Sequence, residues 1–453
     1  MDDRLQTGID GRAVLEKVDH ADGDGTPREL DGSNYEANVD KVEQAQPQTQ
    51  PPPPPDGGYG WVVVACGFWI CAMTWGVNAG YAIYLGYYLN NSVFPGATKL
   101  EYAFVGGLSI SQALMVAPVA TFLSRKFGFK ATMILGLFLT QGILFGWGLG
   151  LTFTSSIGIP SQWFLKRRSI TNGIVSAGSG IGGIIWALAT NSMIETISLA
   201  WAYRITAICL FVVNIIATLF MRDRNKHINP NQKAFDVSLL LRPDFLLLLA
   251  WACFSLLGYI VLLYSLSDFS ISKGLSAQQA SIVTAVLSVG MTVGRPLVGY
   301  FSDSVGRINM AGIVTFVTGL TCFIIWIPAK TYGVCVFFAL VNGAICGSFW
   351  SCVGPLAAEV VGLGNLPSAL SLVWLSVVIP CTFAEAIAFA LRRGTGPNSY
   401  IIVQAFTGVM FVVASMCLVF LRGLQIEKEL AAEKGRRLSF ASMFRCMFST
   451  KKV

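Results

Sequence analysis

Arg295 stands inside the apolar run Gly290–Phe301, where a guanidinium costs about 2.5–3.5 kcal/mol to insert. A charge retained there is either a working group or half of a structural ion pair. Asp303 marks the end of the run, which puts Arg295 roughly 12 Å inside the helix end at 1.5 Å per residue. Its planar fork of donors suits a carboxylate or another anion through two parallel hydrogen bonds. Glu385 is the second ionisable candidate in an apolar run. Facing a cavity, it would titrate or pair with Arg295; Arg392 and Arg393, about two turns further on, offer it a pair near the outer face instead. Asn78, Tyr81, Asn172, Tyr259, Asn342 and Trp350 suit a cavity for a flat solute by hydrogen bonding and stacking, or else packing between helices. Beyond Arg295 the run closes in Gly299, Asp303, Gly306 and Arg307. An acid at a helix end and a base in the next turn can brace neighbouring helices, a gating role.

The elements that position these residues must be membrane helices. Of 453 residues 54% are hydrophobic and 13% charged, against about 25% charged in soluble domains. Apolar runs recur from Trp61 to Leu421, so an all-α, multi-pass membrane protein is expected. The two histidines nearly exclude a histidine metal site or catalytic dyad. The cysteines lie mostly in apolar runs, without paired spacing in an exposed loop, and read as small packing residues. No nucleophile–base pair, ligand set or nucleotide loop is evident, so neither an enzyme nor a cofactor is expected. The +7 charge is concentrated in a few loops and the C-terminal tail, as on cytoplasmic faces; the lipid bilayer is the expected partner and nucleic acid is not.

Residues 1–55 form an acidic, proline-rich tail expected to be disordered and cytoplasmic, with Pro51–Pro55 a polyproline segment open to an SH3-like partner. No signal peptide is visible, so the first span would serve for targeting. Residues 56–221 make a first membrane half, 222–243 a central cytoplasmic loop, 244–421 a second half, and 422–453 a basic cytoplasmic tail. That tail holds Ser439 in Arg436-Arg437-Leu438-Ser439, a phosphorylation pattern. Asn90 opens a glycosylation sequon that would place the first loop outside. Gly173, Gly178, Gly180, Gly182 and Gly183 on the fifth span read as close helix packing.

One interval is too short. Between Lys130 and Lys166 two spans of about 20 residues and a turn do not fit. A single crossing would also put one of the flanking basic clusters, Lys126–Lys130 or Lys166–Arg168, on the wrong face. The interval reads as the start of the third helix, Ala131–Gly136, joined to the end-piece of the fourth. That leaves about 11 recognisable transmembrane helices, by the same length argument.

The spacing of Gly299, Asp303, Gly306 and Arg307 resembles the loop motif of major facilitator superfamily transporters. Asp56-Gly57-Gly58-Tyr59-Gly60-Trp61 resembles the signature of the monocarboxylate transporter family, and most of all its fungal members. Trp163–Arg168 with the fifth span is similar to that family's second signature. The loop motif of the first half is degenerate, with Arg125 in place of the Asp. The resemblance implies the major facilitator fold, with two pseudo-symmetric helical halves, a cavity between them and alternating access. It implies that Arg295 binds substrate. It also exposes two departures: Met291 stands where proton-coupled members carry an aspartate, and Ala79 where they carry a lysine. Glu385 is left as the candidate for proton coupling. The expected function is transport of a small organic solute, either an organic anion of the monocarboxylate kind or a riboflavin-like one, in the plasma or an internal membrane. A membrane nutrient sensor and an inactive shortened product are the alternatives.

Overall fold

The computed structural model describes residues 53–79, 110–133, 135, 145–228, 230, 233, 235–394, 396, 398–435, 442, 444, 446 and 447. Tyr81, Asn90 and Ser439 lie outside the described residues. The helices used below are α1 Gly60–Met73, α2 Trp75–Ala79, α3 Ala117–Phe127, α4 Phe145–Ser156, α5 Arg168–Thr196, α6 Leu199–Phe220, α7 Pro243–Ser272 and α8 Ala277–Val305. They continue with α9 Arg307–Thr321, α10 Tyr332–Cys346, α11 Ser348–Val361, α12 Leu366–Ser376, α13 Val378–Leu391 and α14 Ile401–Glu433. Among the described residues nine helical segments are long and apolar enough to cross a membrane. Their ends follow local chemistry. Ser276 and Gln279 close a reciprocal capping box at the start of α8, satisfying two orphan amides. Gly306, at φ 110°, turns the chain from α8 into α9, a backbone region that strains any residue with a Cβ.

Two of the long apolar segments are broken, Tyr332–Val361 at Gly347 into α10 and α11 and Leu366–Leu391 at Val377 into α12 and α13. The last helix continues to Glu433, past the tail boundary expected at Leu421, because Gln425–Glu433 contains good helix formers and no breaker.

The short interval resolves into an unequal pair. Gly128, at φ 86°, ends α3, and a new helical stretch begins at Phe129. Phe129 and Met133 are buried with Val63, Ile70 and Met221. The chain returns as α4, which runs in the same direction as α3. Trp147 Nε1 donates to Gln112 Oε1 at 3.0 Å near one end of the pair, and the Ser124 and Ser155 hydroxyls meet at 3.2 Å near the other. The parallel run of α3 and α4 places the basic clusters that follow each of them on one face. The described 12 residues of α4 measure about 18 Å, against about 30 Å of hydrocarbon.

Candidate substrate cavity

Arg295 is 3% exposed and opens onto a cavity of about 150 Å³ lined from both sides of the molecule. Cys71, Trp75 and Asn78 come from α1 and α2, Phe153 from α4, and Ser176 and Ser179 from α5. Tyr259 and Tyr264 come from α7, Thr284, Ser288 and Met291 from α8, and Trp350 from α11. The guanidinium is held by neutral groups. Nη1 donates to the Ser176 carbonyl at 2.7 Å and to the Ser179 hydroxyl. Nη2 lies 3.5 Å from Tyr259 Oη and 3.6 Å from Met291 Sδ. Nε is buried without a partner. Among the described residues no carboxylate pairs with Arg295 and none lines the cavity. None of the groups that hold it carries a charge.

Glycine sets the guanidinium's position. A Cβ at Gly347 would lie 2.8 Å from Arg295 Nε, so the break between α10 and α11 is where the side chain passes. α5 and α8 are in backbone contact as well: a Cβ at Gly173 would approach Pro296 Cα at 3.1 Å, and one at Gly299 would approach Ile170 Cα at 2.8 Å. That closeness carries Arg295 across to the Ser176 carbonyl of α5.

Aromatic rings form the opposite wall. Trp350 stacks on Trp374 at 5.8 Å with an interplanar angle of 19°. Trp75 lies 5.0 Å and Phe153 6.2 Å from the Trp350 ring. Ser176 joins the two walls, since its carbonyl accepts from Arg295 and its hydroxyl donates to the Trp350 carbonyl at 2.9 Å.

The structure thus brings together Arg295, Trp350, Asn78 and Tyr259 from the expected set and leaves others apart. Asn342 is fully buried in α10, where its Nδ2 donates to Thr321 Oγ1 at 2.8 Å. Asn172 is tied to Ser161 Oγ and the Arg168 carbonyl. Glu385 lines a separate, smaller cavity with Tyr264, Asp268 and Tyr400. The cation expected beside it is engaged elsewhere, with Arg392 paired to Asp268 at 2.5 Å. Burial and the Asp268 carboxylate raise the Tyr400 phenol above its ordinary range, so it serves Asp268 as a donor. Trp75, Phe153, Ser176 and Ser179 carried no signal in the sequence, being residue types common throughout membrane helices.

The loop motif and both family signatures converge on the face that bears residue 56, here the tail face. Asp303 accepts from the Ser169 and Ile170 amides, both at 3.0 Å, capping the start of α5 from the other side of the molecule. Arg307 donates to the Leu165 carbonyl at 2.6 Å and lies 3.5 Å from Glu359. From the opposite direction Asp56, at φ 52°, accepts from the Leu165 and Lys166 amides at 2.7 and 2.8 Å. Gly60 permits Phe164 to approach, since a Cβ there would lie 2.8 Å from the ring, and Trp61 packs on the same ring at 5.2 Å. Gly57 and Gly58 shape the turn between them, Gly58 at φ 61°. The segment 163–170, which holds the second signature, is clamped between the first signature and the Asp303–Arg307 turn, closing this face.

A helical membrane protein with one buried, arginine-bearing cavity between two helix groups is a solute-handling architecture. The chain belongs to the Major Facilitator Superfamily, whose family model matches residues 137–276 and 252–453, and within it to the fungal, monocarboxylate transporter-like branch. Probable transporter MCH2 of Saccharomyces cerevisiae is 33% identical over 433 aligned positions, covering 88% of this chain and 92% of that protein. Monocarboxylate transporter 10 of Homo sapiens is 25% identical, covering 87% of this chain and 85% of that protein. The crystal structure of the human organic anion transporter MFSD10 superposes with a TM-score of 0.60 at 11% identity, over 80% of this chain and all of the other. These relatives are transporters, and membrane transport of a small solute is the function they support. The yeast alignment carries one more fact. The covered 88% of 453 residues falls short of 433 positions by roughly 34, the sum of all gaps in this chain along the alignment.

Proposed function

We propose that the protein moves a small organic anion across a membrane by alternating access, with Arg295 binding the anionic group. The observation that carries this is a buried guanidinium facing a cavity, with no carboxylate partner among the described residues. A cavity of about 150 Å³ favours a solute well below the size of a three-ring flavin. The name of the human relative, a monocarboxylate transporter, agrees with an anionic cargo. In this reading the tail face is cytoplasmic, as the basic Lys126–Lys130 and Lys166–Arg168 clusters favour, and the closed clamp there leaves the cavity to be loaded from the other side. The test is uptake of a panel of radiolabelled organic acids and neutral solutes by cells expressing the full chain. Saturable uptake of acids supports the reading; uptake confined to neutral solutes contradicts it.

Met291 offers a sharper experiment. Its sulfur touches both Arg295 Nη2 and Tyr259 Oη at 3.6 Å, so a carboxylate at this position would reach the guanidinium. Met291→Asp should install an ion pair and lower anion uptake about tenfold or more at neutral pH, an opposite charge within 4–6 Å being worth at least that. Acidification protonates the new carboxylate and frees Arg295, so uptake should recover as pH falls. Uptake equal to the parent at all pH values would place the anion elsewhere.

A second reading has a specific observation behind it. The interval Lys130–Lys166, too short for two spans of about 20 residues and a turn, and gaps summing to roughly 34 positions along the yeast alignment fit a product that lacks most of the third helix. Sequencing the transcript across Gly136–Leu137 separates the two. An additional in-frame apolar segment of about 20–30 residues should appear in the transporting form, and its absence from every transcript would make the shortened chain the native one.

A further inference from the structure

A second cavity, of about 60 Å³, lies on the tail side of the central one, with α3 and α4 on one flank and α12 on the other. Trp374 stands at its deep end, and Phe153 and Thr154, neighbours on α4, line the central and the second cavity respectively. A single layer of rings therefore parts the two spaces. Trp374, 1% exposed, stacks on Trp350 of the central cavity and lies 5.8 Å from Phe153. From this juxtaposition we infer that Trp374 is an inner gate of the solute path, which leaves the central cavity past this ring and runs between α4 and α12 to the tail face. The α5–α8 side offers no such passage, since the two backbones touch there at Gly173 and Gly299.

Of the two stacked rings, Trp374 is the one free to move. Trp350 is held by a hydrogen bond with the Tyr259 side chain. The Trp374 indole N–H is buried without a partner, so the closed position forgoes a hydrogen bond that the ring regains on reaching water. Trp374 also stands three residues before Val377, where α12 and α13 break, and the ends of elements are where hinges form. The space behind the ring suits water. Thr121, Ser124, Ser155 and Ser371 line it with hydroxyls, and its described lining carries no charged side chain. Its mouth is shut by Gln162, whose Nε2 donates to Asn225 Oδ1 at 3.0 Å and whose Oε1 accepts from the Arg224 amide at 2.9 Å. Trp374 and the Gln162–Asn225 lid thus close the path in series, and the space between them has room for a few waters.

The experiment is sided thiol labelling of the full-length protein in sealed membrane vesicles with a membrane-impermeant reagent, sulfonatoethyl methanethiosulfonate. Lys166→Cys, exposed on the tail face, marks the vesicles in which that face meets the reagent, and mass spectrometry reads modification residue by residue. Ser371→Cys reports the second cavity and the native Cys71 the central one. Cys381, fully buried and lining neither, reports unfolding. In Gln162→Ala, Ser371→Cys should react at least about tenfold faster than with Gln162 present, while Cys71 keeps its parental rate, because a close-packed ring layer leaves no water-sized path. Adding Trp374→Ala should speed Cys71 at least about tenfold with Cys381 still unreactive, and Trp374→Leu, a smaller excision, should do the same. Trp374→Phe, which keeps a ring, should leave Cys71 slow. Cys71 at its parental rate in both double variants, or Ser371→Cys no faster in Gln162→Ala, would overturn the assignment. No arm uses an organic anion, so the gate stands or falls apart from the role given to Arg295.

Discussion

Arg295→Ala should reduce saturable organic-anion uptake by at least about a hundredfold while leaving the amount of protein in the membrane unchanged. The first half of that expectation follows from the bonds an anion would gain. Two hydrogen bonds to a guanidinium are worth about 1.5–3 kcal/mol each, and every 1.4 kcal/mol is about a factor of ten. The second half follows from what Arg295 does without a ligand. Its partners are a carbonyl, a hydroxyl, a phenol and a thioether, all neutral, so removing it leaves no buried carboxylate stranded. Deleting half of a structural ion pair would do the opposite, at about 3–5 kcal/mol of stability. Arg295→Lys should fall between the parent and Arg295→Ala, because an ammonium keeps the charge and loses the fork. Equal losses of protein and of uptake in Arg295→Ala would assign the residue to the fold.

The second large effect should come from the clamp. Asp303→Asn should open the tail face and cripple net transport with the cavity residues intact. Asp303 accepts from two amides at the start of α5 and lies 3.7 Å from Arg307. Losing its charge weakens both amide bonds, which favour an anion at a helix start, and leaves Arg307 held by the Leu165 carbonyl and Glu359 alone. A loss of about 3 kcal/mol, two charge-assisted bonds at the low end of their range, would shift a closed-to-open ratio by about a hundredfold. Spin labels at Lys166 and Ser304, both exposed and on opposite sides of the contact, report the outcome as a distance distribution. The parent should give one short population and Asp303→Asn a second, longer one. An unchanged distribution would mean that the glycine-mediated contact of α5 with α8 holds the face closed by itself.

Which parts were legible in the sequence follows from how much each residue type costs in lipid. Arg295 could be singled out because few reasons justify a guanidinium at that depth. Asp303 and Arg307 could be read as braces because a polar turn between two apolar runs has few other partners. Asn342 was not legible in the same way. An asparagine is inexpensive enough to serve in helix packing, and one sequence does not show which face of α10 meets the cavity and which meets Thr321. Glu385 was open for a related reason: its cation depended on whether Arg392 turned toward α13 or toward Asp268 on α7, and only the packing of α7, α13 and α14 decides that.

The glycines of α5 were read as packing residues, and Gly173 and Gly180 do meet α8, but that they deliver Arg295 to Ser176 is a three-dimensional fact. So is the meeting of the two signature stretches, which lie about a hundred residues apart and touch through Asp56, Gly60 and Phe164. The short third interval was visible by arithmetic on length alone, and the direction of α4 then followed from which residues it touches.

The central claim, that Arg295 meets the charge of the solute, has a direct electrical test. Liposomes carrying the full-length protein are adsorbed on a sensor, and the charge displaced by a rapid jump in organic-anion concentration is recorded. The account predicts a saturable displacement of negative charge in the parent and none in Arg295→Ala. A saturable displacement of the same size in Arg295→Ala would contradict it.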